Sequence, residues 1–269
     1  MFQAKYYDII FSLTFHTTQE ELEELVIHIN DNISDDISYF IIINTSRALT
    51  NIKLKAMNYM INKYSFDKKK LGSDLFKAHI TNYELTRRIF NYKFFILLAS
   101  SCYFFRKMKH SDLKLFDEYF TKYTYTQQNQ IDIDRNWCFY TPALNNKPLN
   151  VIFEKMNIKL VSGQHEGLVL TKDMIEFIFT NEKKYQIYYY CKDNNSLPLE
   201  EIIFASFIKN YYNIHIPLII CKVFWHNTDY LATTNNIDEL AKVTNSTFFM
   251  VKRVDTNIKN YIKTNKYIL

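Results

Sequence analysis

Short apolar runs along this chain alternate with longer stretches in which apolar positions recur at helical spacing. IIFSLTF (residues 9–15) and SYFIIIN (residues 38–44) are rich in β-branched and aromatic residues, which predicts buried strands. Between them, Thr17 and Thr18 precede QEELEELVIHI, whose acidic first turn and apolar spacing predict a helix. A strand, a helix and a strand at this spacing predict a parallel pair with a right-handed crossover.

The alternation continues to the end of the chain without an internal repeat or a long linker. Strands that alternate with helices are typical of an α/β fold with a mixed, mostly parallel sheet flanked by helices. We predict one such domain over residues 1–269. The remaining predicted elements are helices over about 51–64, 73–90, 111–123 and 148–156, helices that start at Thr171, Pro198 and Asp255, and strands at 94–100, 168–170, 216–223 and 247–251.

The composition excludes several classes of protein. The 269 residues contain three glycines, where average usage would give about 19, so a glycine-rich Walker or Rossmann phosphate loop is excluded. The net charge of +5 is small and dispersed, which argues against a nucleic-acid partner. The four cysteines form no C-x-x-C pair, which argues against a zinc ribbon or a disulfide framework and favours reduced thiols in the cytoplasm.

The sequence has no segment typical of a membrane-spanning helix or a secretory signal. Its longest apolar stretch, residues 94–105, is well short of the ~20 residues that a spanning helix needs. Asp8 interrupts the apolar run near the N-terminus. We therefore expect a cytoplasmic protein, and leave open a peripheral contact with the inner face of a membrane.

Polar side chains lie at the ends of the predicted strands. In an open parallel sheet, ligands bind beyond the carboxyl ends of the strands. His16 follows the first strand, Asn44 and Ser46 end the second, and residues 100–102 follow the third. We therefore take His16, Asn44 and Ser46 as candidate contacts of a bound ligand.

Two of the three glycines, Gly163 and Gly167, lie in the segment SGQHEG just before a predicted strand. In a chain that avoids glycine, they indicate a tight turn or a close approach of the backbone to another group. The segment is either a plain turn or a loop that lines a ligand site. In the second case Gly163, His165 and Glu166 would contact the substrate.

Two adjacent acids, Glu200 and Glu201, lie in the first turn of the helix predicted after Pro198. Acidic residues there complement the helix dipole, which needs no function. Because neighbouring residues on a helix point about 100° apart, at most one of them would face a cleft. A carboxylate held in a cleft could act as a general base.

Two further patterns concern phosphate and metal binding. Lys252 and Arg253 end a late apolar strand, where paired cations suit a pyrophosphate leaving group or form an exposed basic turn. Asp132 and Asp134 have the D-x-D spacing of a divalent-metal site, in a polar segment that is also typical of a solvated loop. The histidines show no H-E-x-x-H pattern, so a zinc hydrolase is not supported.

In their order, these segments resemble the core-2/I-branching β-1,6-N-acetylglucosaminyltransferases and their short bacterial relatives. The resemblance lies in SGQHEGLVLTKDMIEFIF, LPLEEIIFAS and FFMVKRVD in the C-terminal half. In the N-terminal half it lies in SLTFHT, YFIIINTS and FFILLASSCYFF. It spans the chain from about residue 9 to about residue 255.

The resemblance implies a GT-A-type fold with a nucleotide-binding half over about 1–110 and an acceptor-binding, catalytic half over about 130–269. It implies an inverting transferase that needs no metal ion or other cofactor and moves GlcNAc from UDP-GlcNAc to a glycan hydroxyl. In a bacterium, the product would be a surface glycan such as lipopolysaccharide or capsule.

On the donor side, the family's catalytic base aligns with Glu201, with Glu200 as the alternative. Its phosphate-neutralising lysine aligns with Lys252, and Arg253 would substitute for an arginine that the family has upstream. Asn44 replaces the family's uridine-proximal aspartate.

On the acceptor side, His165 and Glu166 would contact the sugar, and Trp137 or Tyr140 could stack on its apolar face. Two alternatives remain open: a metal-dependent GT-A transferase that uses the D-x-D aspartates, and a non-catalytic α/β interaction protein.

Overall fold

The computed structural model describes residues 5–46, 49, 52–54, 58–66, 71–123, 139–192, 197–212, 214, 216–243 and 246–265. Its larger sheet contains β1 (Lys5–Phe15), β2 (Tyr39–Ser46), β3 (Tyr59–Phe66), β4 (Phe90–Ala99) and β6 (Val169–Thr171) in the order β3-β2-β1-β4-β6. The first four strands run parallel, and β6 pairs antiparallel with β4. A smaller sheet has the order β5-β8-β7, with β5 at Cys102–Phe104, β8 at Met250–Lys252 and β7 at Cys221–Lys222.

Helices cover both faces of the larger sheet. One face packs against α2 (Leu71–Ile89), α5 (Lys147–Met156), α6 (Lys172–Tyr185) and α8 (Leu199–Tyr211). The other packs against α1 (Gln19–Asp31) and α3 (His110–Tyr123). The other helices are α4 (Tyr140–Leu144), α7 (Ile187–Cys191), α9 (Thr234–Lys242) and α10 (Thr256–Asn265).

The alternation of side chains along the central strand divides the core in two. Ile10 of β1 packs in the cluster on the α2 face, whereas Ile9 and Phe11 pack in the cluster on the α1 face. Successive side chains of a strand point to opposite faces, so a strand buried on both sides is a continuous apolar run. This confirms the predicted α/β fold with a mixed, mostly parallel sheet.

The prediction of a helix over about 51–64 is wrong, because β3 (Tyr59–Phe66) lies there and pairs with β2. Asn58, at φ 61°, turns the backbone into this strand. Pairing with β2 outweighs the local preference, as tertiary context commonly does for strands.

Other predicted boundaries shift without changing the fold. Of the predicted strand 216–223, Cys221 and Lys222 form β7, and Pro198 is the N-cap of α8 rather than its first residue. Among the described helices, none is both long enough and apolar enough to cross a membrane.

Candidate functional site

A cavity of about 460 Å³ lies beyond the carboxyl ends of β1 and β4, against the end of β8. This is the size and position expected for a small-molecule site in an open α/β sheet. Five of the candidate site residues line it: His16, His165, Glu166, Lys252 and Arg253. We call this cavity the strand-end pocket.

The glycine-flanked loop positions His165 and Glu166 because its backbone is held at both ends. The N–H of Gly163 donates to the Glu201 carbonyl at 2.9 Å, and the N–H of Gly167 donates to the Leu97 carbonyl at 2.7 Å. At Gly167, with φ +75°, a Cβ atom would lie 2.5 Å from the Cβ of Cys221. A residue with a side chain does not fit there, so Gly167 is required by close approach as well as by conformation.

Glu166 and Lys252 form a buried ion pair in the wall of the pocket. Lys252 Nζ donates to Glu166 Oε1, and the side chains are 12% and 4% exposed. Burial alone would raise the pKa of Glu166, but His165 and Lys252 outweigh it and hold this pKa below 4.5. Glu166 is therefore an ionised carboxylate at neutral pH, and its charge offsets that of Lys252.

His165 is buried beside this pair with unused hydrogen-bonding capacity. Its Nδ1 lies 3.6 Å from Glu166 Oε2, and neither ring nitrogen has a hydrogen-bond partner among the described residues. Burial lowers the pKa of His165, so the imidazole is neutral at pH 7. A buried polar atom without a partner is rare and indicates a place for water or a ligand.

No sequence pattern points to His79 of α2, whose ring centroid lies 6.0 Å from that of His165. His79 Nδ1 lies 2.8 Å from Ser12 Oγ, which accepts a hydrogen bond from Asn82. His79 Nε2 has no partner among the described residues. Helical spacing on α2 marks this position only as inward-facing, and the partners lie on β1 and in the glycine loop, so no local signal identifies it.

The two adjacent glutamates have different surroundings. Glu200 is 3% exposed and its Oε2 has no partner among the described residues, whereas Glu201 is half-buried. Burial raises the pKa of Glu200 well above 4.5, the charges of Glu201 and Glu166 add to this rise, and Lys252 opposes it. Glu200, the alternative base that the family resemblance offered, is therefore the glutamate that shares an electrostatic environment with Glu166 and Lys252.

Arg253 and His16 also line the pocket. Arg253 has φ 60°, donates to the Asp229 carbonyl at 3.4 Å and lies over the Tyr230 ring. His16 Nδ1 lies 3.2 Å from Ser100 Oγ, which joins the ends of β1 and β4. Both side chains are placed where a ligand could reach them.

Asn44 and Ser46 lie at the carboxyl end of β2 but are not among the residues that line the strand-end pocket. Both are buried. Asn44 Nδ2 donates to Thr81 Oγ1 at 3.4 Å, while Asn44 Oδ1 and Ser46 Oγ have no partner within the described ranges. They extend the row of polar groups along this edge of the sheet.

Four other predicted site residues are described but do not line the strand-end pocket: Gly163, Glu200, Glu201 and Tyr140. Tyr140 opens α4 and packs against the core on the α2 face. Trp137, Asp132 and Asp134 lie outside the described residues. In the described ranges, no group of three or more His, Cys, Asp or Glu side chains could hold a metal ion.

No model of a known protein family matches this chain. A search of the curated proteins also finds no match. The geometry of the strand-end pocket is therefore the basis for assigning a function.

Proposed function

We propose that this protein is an inverting, metal-independent glycosyltransferase that moves GlcNAc from UDP-GlcNAc to a glycan hydroxyl. One observation carries the proposal: Lys252 and Arg253 line a cavity beyond the ends of parallel strands, and a buried carboxyl group, Glu200, lies close enough to Lys252 for their charges to interact. Sugar transfer by direct displacement needs this combination, a base for the acceptor hydroxyl and positive charge for the departing diphosphate.

Glu200 is the proposed base, in preference to Glu201. Its burial gives it a raised pKa, and an unpaired carboxylate with a raised pKa is a stronger base than an exposed one. Its Oε2 is buried and has no partner in the described part of the chain, so it keeps the capacity to accept a hydrogen bond from a bridging water or an acceptor hydroxyl.

Lys252 and Arg253 are the proposed contacts of the diphosphate. They are consecutive at the end of β8, and both line the pocket. Negative charge grows on the leaving diphosphate in the transition state, and fixed cations in a partly buried site stabilise that charge. His16, just after β1, also lines the pocket and would contact the nucleotide.

Replacement of Glu200 by Gln tests the proposal. We expect transfer from UDP-GlcNAc, or its slow hydrolysis, to fall by about 10²- to 10⁴-fold, since general-base catalysis contributes that much. The same change removes a carboxyl whose ionisation is opposed by burial, so the melting temperature at neutral pH should stay constant or rise. Lost activity in a protein that is no less stable identifies a catalytic group.

The matched control is Glu201→Gln, one residue along the same helix, with an activity expected within a few fold of the wild type. Activity should also survive an excess of chelator. Full activity in Glu200→Gln would refute the proposed base, and loss of activity on chelation would favour the metal-dependent alternative with Asp132 and Asp134.

A further inference from the structure

The charges around the strand-end pocket balance before any ligand binds. Within the described residues, the pocket is lined by three carboxylates and three basic side chains of the Lys and Arg type. An anionic ligand therefore adds negative charge that the residues lining the pocket do not already neutralise. The six groups are Glu21, Glu24, Glu166, Lys252, Arg253 and Lys259.

The cation deepest in the wall is already engaged. Lys252 Nζ donates to the Glu166 carboxylate, and both side chains are nearly buried. At the outer rim, Lys259 Nζ lies 3.3 Å from Glu24 Oε2, and that pair is more exposed. An anion that approaches Lys252 must share it with Glu166, whereas water can screen the rim pair.

We propose that binding of a diphosphate-type anion at Lys252 is coupled to the uptake of one proton from solvent by the Glu166–His165 pair. No covalent bond between heavy atoms changes. A proton leaves the buffer and binds to Glu166 Oε2 or to His165 Nδ1, which lies 3.6 Å from it. The identity of the anion rests on the proposed function, and the coupling itself rests on the geometry of the wall.

The groups that face Glu166 explain why a proton is needed. His165 adjoins it in the same loop, with His79 of α2 beyond. Lys252 comes from β8, and Glu200 on α8 and the thiol of Cys221 on β7 also interact electrostatically with Glu166. Of these groups Lys252 alone is permanently cationic, so sharing it leaves a buried carboxylate under-compensated, and such a group binds a proton.

The titration behaviour of the pair agrees with this geometry. Burial by itself raises the pKa of Glu166, and this pKa is low in the free protein only because His165 and Lys252 oppose the effect of burial. An anion at Lys252 weakens that opposition and also favours the protonated form of His165. Both changes raise proton affinity, so the sign of the coupling is uptake.

Isothermal titration calorimetry of the whole chain with UDP-GlcNAc measures directly how many protons are taken up on binding. The phosphates of this ligand are esterified on both sides, so the ligand does not itself titrate near neutral pH. Titrations in two buffers of different ionisation enthalpy should show about one proton taken up. Between about pH 6 and about pH 8 the affinity should fall by up to about tenfold per pH unit.

Two buried glutamates give a matched pair of variants. Glu166→Gln should reduce proton uptake to near zero and make the affinity independent of pH. Glu182→Gln changes a buried glutamate on α6 that pairs with Lys77, away from the pocket, and should leave the uptake at its wild-type value. Should Glu166→Gln fail to fold, the two-buffer measurement on the wild type decides alone.

Sodium sulfate, titrated in the same way, separates this inference from the proposed function. Sulfate binding with proton uptake that depends on Glu166, without binding of UDP-GlcNAc, would support the coupling and count against the transferase. UDP-GlcNAc binding with equal heats in both buffers, or binding that needs manganese and takes up no proton, would overturn the coupling. If neither anion binds, the anion site is refuted and the coupling with it.

Discussion

Among the described residues, two buried glutamates pair with a lysine and differ in electrostatic character. Glu182 Oε1 lies 3.7 Å from Lys77 Nζ, and its Oε2 accepts the backbone N–H of Tyr188 at 3.1 Å. Its pKa is raised, because burial outweighs these partners. The pKa of Glu166 is lowered, because there Lys252 and His165 outweigh burial.

The difference lies in what each carboxylate does for its surroundings. Glu182 accepts a hydrogen bond from the start of α7, so it ties two consecutive helices together, and Lys77 reaches solvent beside it. Glu166 faces side chains that line a cavity, and an incoming ligand can compete for those side chains. Burial and a lysine partner do not by themselves identify a functional carboxylate; partners that face a cavity do.

The largest difference between the two regions is expected on removal of the lysines. Lys252→Met should lower the free energy of unfolding by about 3–5 kcal/mol, because it leaves Glu166 buried without its cation. Lys77→Met should cost about 1 kcal/mol or less, because the lysine is partly exposed and the Tyr188 N–H still satisfies Glu182. Urea denaturation of both variants at pH 7 measures the difference.

Equal losses in the two variants would mean that Glu166 and Glu182 are both structural, and the distinction between the regions would fail. Lys252→Arg serves as a control, since it keeps the charge and should recover part of the stability lost in Lys252→Met.

A smaller effect on stability is expected from the glycines that flank Glu166 in its loop. Glu182 lies in a regular helix, which needs no glycine. Gly167→Ala should destabilise the protein by about 3 kcal/mol, because its backbone has φ +75° and the new Cβ would meet Cys221. Gly163→Ala should cost about 1 kcal/mol, because its Cβ would lie 3.1 Å from the side chain of Ala205 alone. Thermal unfolding monitored by circular dichroism compares the two.

If Gly163→Ala were as damaging as Gly167→Ala, the positive φ and the contact with the Cys221 backbone would not be the reason that Gly167 is needed.

The smallest expected effect is the change of folding stability with pH. Burial lowers the pKa of His165 and His79, so the unfolded chain binds more protons than the folded one below about pH 6.5. Stability should therefore fall as the pH drops from about 7 towards 5. Each histidine contributes up to about 1.4 kcal/mol per pH unit, and His165→Gln should remove one contribution.

Glu182 should respond with the opposite sign. Its raised pKa means that the folded state holds a proton more tightly, so its contribution favours folding at low pH and is lost as the pH rises from 4.5 through the raised pKa. Denaturant titrations at several pH values should show that Glu182→Gln removes this loss of stability with increasing pH. A His165→Gln variant with an unchanged acid response would contradict the assignment of His165.

Much of the fold can be predicted from local pattern. The two central strands and α1 follow from apolar runs and from the Thr18 cap, which forms a capping box with Glu21. The segment around Gly163 and Gly167 stands out because glycine is so scarce in this chain, and its close packing agrees with that signal. Lys252 and Arg253 are recognisable in the sequence because an apolar strand ends in these two cations.

By itself, the sequence determines the alternation of strands and helices that builds the layers of the fold. The reason is that hydrophobic periodicity depends only on residues that are neighbours in the chain. Only the tertiary structure decides that residues 59–66 join the sheet as β3, that Glu200 rather than Glu201 is fully buried, and that His79 meets His165. Each of these depends on segments far apart in the chain that come together and exclude water, and it is this burial that shifts the pKa values from which the site can be recognised.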